Sequence, residues 1–116
     1  MQSQLLDYSY KGGFVGYDDH LVIDRNGTAH LTRRRKEYEF VVPVEVLRQL
    51  ETFLRSTDFV EFRWHYAPSG GAVDVAEHTL TIDGNTIYAS DISMPAALEP
   101  VVSILQQLIS ANSAEI

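Results

Sequence analysis

The chain has 116 residues and a mass of 13.1 kDa, one domain's worth, and its 45% hydrophobic and 22% charged residues place it among globular rather than disordered sequences. With no cysteine, disulfides, cysteine zinc sites and thiol nucleophiles are excluded. Nine basic against sixteen acidic residues give a net charge of −7, which disfavours a general nucleic-acid coat, because phosphate binding needs a cationic surface. The first residues lack the basic and apolar segments of a secretory signal, and no run approaches the roughly 18 apolar residues of a membrane span. A cytoplasmic protein without membrane contact is expected.

In chain order, Leu5-Leu6-Asp7-Tyr8-Ser9-Tyr10 predicts a strand, followed by a flexible loop over Lys11-Gly12-Gly13-Phe14-Val15-Gly16-Tyr17. His20-Leu21-Val22-Ile23-Asp24 and Ala29-His30-Leu31-Thr32-Arg33 flank Asn26-Gly27, the pair that a type I′ hairpin turn prefers. Residues 37–41 alternate well enough to add a further strand. A helix is predicted to begin near Pro43, which suits a first helical position, and Val46, Leu47, Leu50, Phe53 and Leu54 recur at three and four residues to give it one apolar face. Residues 63–77 read as a long loop containing Pro-Ser-Gly-Gly. A second hairpin follows, with strands 79–82 and 86–90 around Asp83-Gly84-Asn85. A second helix is predicted after Ser93-Met94-Pro95, with Ser93 as N-cap, Pro100 within its first turns, and Leu98, Val101, Val102, Leu105, Leu108 and Ile109 as its apolar stripe. The fold class is α+β: an antiparallel sheet of about four or five strands with two helices packed on one face, a single domain with an ordered core over about residues 5–110.

The residues offer little conventional catalytic chemistry. His20, His30, His65 and His78 have no His-Glu-x-x-His spacing, and no Gly-x-Ser-x-Gly elbow occurs. No cofactor, no metal in the free protein and no enzymatic activity are expected. Gly12-Gly13-Phe14-Val15-Gly16 matches no phosphate loop, but Phe14 and Val15 on a glycine-flanked tip suit a hydrophobic contact with a partner. Burying one Phe in a partner pocket contributes about 2–3 kcal/mol. Arg33-Arg34-Arg35-Lys36 collects four of the nine basic residues; a solvated strand end, diluted by Glu37 and Glu39, is the expected reading.

Four blocks in order resemble the emfourin family, small bacterial protein inhibitors of protealysin-like metalloproteases of the thermolysin family. Tyr10-Lys11-Gly12-Gly13-Phe14-Val15-Gly16 is similar to that family's Gly-Gly-Phe-Ala-Gly block, and Val42-Pro43-Val44-Glu45 through Leu54 to Thr57-Asp58-Phe59 to its Leu-Pro-Pro-Glu helix. Asp74-Val75-Ala76-Glu77-His78-Thr79-Leu80-Thr81-Ile82 resembles its Asp-x-x-x-Tyr-x-Leu-x-Val strand, and Met94-Pro95-Ala96-Ala97-Leu98-Glu99-Pro100-Val101 its Met-Pro-Ala-Leu-x-Pro-Leu helix start. Val75 and Ala76 depart from the family's arginine and aromatic residues, and the basic run has no counterpart. The resemblance implies a monomeric, non-enzymatic inhibitor whose partner is a thermolysin-like metalloprotease. In that reading Asp74 seeks the protease zinc, with Asp91, Asp18 and Asp19 as rivals; Phe14 and Val15 fill the subsites; and Gly12, Gly13 and Gly16 shape the loop. The alternative is a small interaction module for a different partner. For two loops to act together, the first strand must lie beside the strand that follows Asp74.

Overall fold

The computed structural model describes residues 4–12, 16–56, 76–82, 84–90 and 96–113. Strands β1 (Gln4–Gly12), β2 (Tyr17–Asp24), β3 (Thr28–Arg33), β4 (Lys36–Val41), β5 (Ala76–Ile82) and β6 (Asn85–Ser90) are joined by helix α1 (Val44–Ser56), between β4 and β5. A short 3-10 turn, Ala96–Leu98, leads into helix α2 (Glu99–Asn112). The strands form one six-stranded sheet in the order β4-β3-β2-β1-β5-β6, with every neighbouring pair antiparallel. The α+β class is therefore as expected, with six strands rather than four or five.

Alternation along the strands explains why one face is covered and the other wet. Leu6, Tyr8, Leu21, Ile23, Ala29, Leu31, Leu80, Ile82 and Ile87 point to one side and join Leu50 of α1, Leu98 of the 3-10 turn and Val101, Val102, Leu105, Leu108 and Ile109 of α2 in a single core. A bulge between Gln4 and Leu6 breaks the alternation and lets Leu5 be buried as well. The opposite face carries Asp7, His20, His30, Thr81 and Thr86, tied by short polar contacts such as His20 Nε2 to Asp7 Oδ1 at 2.7 Å.

The helix stripes match the spacing expected of them, whereas several boundaries differ. Pro43 precedes α1 and its carbonyl accepts the Leu47 N–H at 2.9 Å, so it closes the first turn from outside the helix. The α-helical part of α2 starts at Glu99 with Leu98 in the N-cap position, without a side-chain cap, and Pro100 in its first turn. Ser93, expected as the cap, lies outside the described residues and five positions before Leu98. The ordered core also continues past residue 110, because the Ser113 hydroxyl donates to the Ile109 carbonyl and closes the end of α2.

The Asn26-Gly27 turn is not type I′. Three residues separate Asp24 from Thr28, and of the two only Gly27 has positive φ, at 96°. Gly27 N–H bonds the Asp24 carbonyl at 2.9 Å, the Thr28 N–H bonds Asn26 Oδ1 at 2.9 Å, and the Gly27 carbonyl accepts from Val42 N–H. A β-turn followed by a left-handed glycine is the three-residue hairpin solution. Gly27 is buried there, with Leu47 Cδ2 3.4 Å from where a Cβ would sit.

Among the described residues, positive φ at both corners of a two-residue hairpin turn is seen in the β3–β4 turn, where Arg34 has φ 49° and Arg35 φ 76°. Asparagine and glycine favour such corners; other L-residues are strained there by about 1–2 kcal/mol each.

Candidate functional site

At one end of the sheet the covered face changes from apolar to polar within two residues. The row Tyr38-Leu31-Leu21-Tyr8-Leu80-Ile87, in register across six strands, belongs to the core or packs against it. The next row outward is Arg33-Asp19-Tyr10-His78-Ala89 across five strands. Among the described residues the next row in register is Tyr17-Gly12-Ala76, with Gly12 paired to Tyr17 on one side and to Ala76 on the other.

Two side-chain bonds tie this end of the sheet to α2 and to its C-cap residue, Ser113. Asp19 is buried, and its Oδ1 accepts from Arg33 Nε at 3.1 Å. Arg33 Nη1 donates to Ser113 Oγ at 2.9 Å, which sets a guanidinium at the negative end of the α2 dipole. Gln106 of α2 donates to the Tyr8 hydroxyl at 3.1 Å, and that hydroxyl lies 2.7 Å from His78 Nδ1. Which of the two atoms donates in that bond depends on the His78 tautomer. The Tyr10 ring stacks on His78 at 4.5 Å and meets Tyr17 at 4.7 Å between centroids. These aromatic contacts link the ends of β1, β2 and β5 into one rigid base. Two hollows flank Gln106 and Ser110: one of about 190 Å³ lined by Tyr10, Tyr17, Asp19 and Arg33, and a wider groove of about 670 Å³ bordered by His78, Val102 and Gln107.

Burial pushes the Asp19 carboxyl above its ordinary value of 3.8, and this desolvation outweighs the opposing pull of Arg33 and Arg34. Because the native pKa lies above the unfolded one, the native state binds the proton more tightly. The contribution of Asp19 to stability is then greatest in acid and falls as pH rises from the unfolded value through the native one. Relative to Asp19→Asn, the wild-type protein is expected to gain stability on acidification through that window. Denaturant unfolding of both proteins across the acidic range checks the sign; a loss on acidification would contradict it.

The expected site residues are distributed as follows. Gly12 ends β1 rather than belonging to a loop, Tyr17 already belongs to β2, and Gly12 and Gly16 both have positive φ, at 93° and 78°. A Cβ at Gly16 would meet no atom within 4 Å, so its glycine is required by conformation and not by space. Gly13, Phe14, Val15, Asp74 and Asp91 lie outside the described residues, as do residues 63–75 of the expected loop; Ala76 and Glu77, assigned to that loop, begin β5. Asp18 is exposed at the start of β2, whereas Asp19 is buried against Arg33 and is unsuited to reach a partner's metal. The run at residues 33–36 is not uniformly a solvated strand end, because Arg33 is the ion-pair partner of Asp19, while Arg34, Arg35 and Lys36 are exposed.

Sequence reasoning misses the Tyr8–His78–Gln106 relay. His78 reads as one of several scattered sheet and surface histidines, yet it is buried at 4% exposure. The available signal is its i,i+2 spacing to Leu80 and Ile82, which puts it on the covered face. Among the described residues no group of three or more histidines and carboxylates is placed to hold a metal ion, and no helix is long and apolar enough to cross a membrane. Comparison of the chain with protein-family models, with curated proteins and with solved structures gave no match.

Proposed function

We propose that the protein is a reversible inhibitor of thermolysin-like zinc metalloproteases, acting through the end of the sheet where β1 and β5 meet. The observation that carries this reading is the pairing Gly12↔Ala76. The segment with Phe14 and Val15 leaves β1 directly after Gly12, and the segment with Asp74 enters β5 directly before Ala76, so both are anchored at neighbouring backbone positions. Paired residues on adjacent strands are about 5 Å apart. A partner's cleft then meets a carboxylate-bearing segment and a hydrophobic one attached to the same base, the Tyr10–His78–Tyr17 cluster.

The division of labour is chemical. A carboxylate is a good zinc ligand and displaces the metal-bound water that attacks a peptide bond. Phe14 and Val15 supply apolar area to the subsites beside the metal. A base held by α2 through Gln106 and Arg33 lowers the ordering cost at binding, the usual benefit of preorganisation.

Titration of thermolysin with the purified protein, followed by cleavage of a peptide substrate, tests the proposal. Inhibition saturating near one equivalent is expected, with a serine protease of similar size unaffected. Undiminished cleavage by thermolysin and by several other members of its family would reject it and leave the alternative, an interaction module. That second reading has its own observation: the sheet edges β4 and β6 have no strand paired beyond them among the described residues, and Val41 and Tyr88 are exposed there.

A further inference from the structure

The segments that carry Phe14 and Asp74 leave one base, and the stiffness of that base decides what their combination is worth. When two contacts share a scaffold, the second forms at an effective concentration set by the span and stiffness of the connection, with gains of about 10²–10⁴ where the geometry fits. A loose connection forfeits most of that gain without touching either contact.

The connection runs through one ring. Tyr10 sits two residues before Gly12, Tyr17 opens β2 directly after Gly16, and His78 follows Ala76 by two. The Tyr10 ring lies between the other two, with centroids 4.5 Å apart and planes at 27° for His78, and 4.7 Å and 34° for Tyr17. Both distances fall in the range that aromatic pairs favour. One side chain thus meets the strand on which the Phe14 segment leaves, the strand on which it returns and the strand that the Asp74 segment enters. In the next row β1 offers Gly12 and β5 offers Ala76, with no more than a methyl group between them. Among the described residues, Tyr10 is therefore the last side chain of β1 large enough to reach both neighbouring strands on the covered face. It is partly buried and packs against the core, whereas Tyr8, two residues back, is a core member at 0% exposure. A leucine at position 10 keeps an apolar group against the core and removes the flat ring.

We propose that Tyr10 is a positioning residue: its ring, held between His78 and Tyr17, fixes the spacing of the two segments so that they engage one partner together. This rests on the reading of the β1–β5 end as the protease-binding surface. The ring acts through the three strand ends and not by contact with the partner.

The test is Tyr10→Leu, with Tyr10→Phe as the conservative variant, each titrated against thermolysin in the wild-type and Asp74→Ala backgrounds at concentrations where residual inhibition is measured. Tyr10→Leu is expected to weaken inhibition about tenfold or more where both segments are present, and about twofold at most in the Asp74→Ala background, where no second contact depends on spacing. Tyr10→Phe, which keeps the ring, is expected to inhibit like wild type. Unchanged inhibition by Tyr10→Leu, an equal loss in both backgrounds, or a loss in Tyr10→Phe matching that in Tyr10→Leu would overturn the proposal while leaving the inhibitor reading intact. Should Tyr10→Leu fail to fold, Tyr17→Leu, which removes one side of the stack, takes its place with the same expectations. If wild type does not inhibit thermolysin, the inhibitor reading fails and backbone amide relaxation decides the role of the ring. Order parameters at Gly12, Tyr17 and Ala76 are then expected to fall together to about 0.6 or below in Tyr10→Leu and to stay near about 0.85 in Tyr10→Phe; rigid strand ends in Tyr10→Leu would overturn the proposal.

Discussion

Leu105→Ala is expected to destabilise the protein by about 2–5 kcal/mol, measured by denaturant titration with an unchanged slope. Leu105 is at 0% exposure in the middle of α2, within the cluster that joins the helix to the sheet. Removing its branched end costs both the transfer free energy of the lost carbons and the cavity left where packed strands have little room to collapse. The effect reaches beyond stability, because α2 also carries Gln106 to Tyr8 and the end that receives Arg33 through Ser113. By contrast, Val44→Ala at 65% exposure is expected to fall within about 0.5 kcal/mol of wild type. A loss at Leu105 no larger than that at Val44 would show that α2 is not seated as described.

The second large effect is on binding. Asp74→Ala and Phe14→Ala are each expected to weaken inhibition of thermolysin by orders of magnitude while leaving the melting temperature nearly unchanged. For Asp74 the loss is that of a charged ligand to a divalent metal; for Phe14 it is that of an anchor in a desolvated pocket, where truncation costs most. Unfolding of either variant would assign that residue to the fold and not to binding. Inhibition surviving Asp74→Ala would transfer the zinc contact to Asp91 or Asp18, since Asp19 is engaged by Arg33.

The helices and the β5–β6 hairpin are legible in the sequence because their signals are local. Leu98, Val101, Val102, Leu105, Leu108 and Ile109 repeat at the helical period and are all buried, and Asp83-Gly84 sits between two alternating runs. The turns are less legible: Asn26-Gly27 carries the strongest hairpin signature in the chain, yet the chain closes a three-residue turn there, with Gly27 N–H on the Asp24 carbonyl and the Gly27 carbonyl held by Val42 N–H, a contact 15 residues away that no local pattern reports. A two-residue turn with positive φ at both corners is formed instead by Arg34-Arg35, where composition argues against it. The polar row is hidden for a different reason. Tyr8 and His78 are 70 positions apart, and Arg33 is 80 from Ser113; no local pattern reports which side chains a sheet register brings together. A buried ion pair such as Arg33–Asp19 also looks, in sequence, like ordinary surface charge. The adjacency of β1 and β5 enters the sequence reading only as a requirement of two loops acting together, and the register meets it from Asp7↔Thr81 to Gly12↔Ala76.

Binding at one end of the sheet is open to amide chemical-shift mapping of the isotope-labelled protein on addition of thermolysin. Shifts are expected to concentrate at Gly12, Gly16, Tyr17, Ala76 and Glu77 and to leave the turn at Asn26-Gly27 and the Gly84 turn at the far end unmoved. Shifts centred on that far end, or along β6, would contradict it.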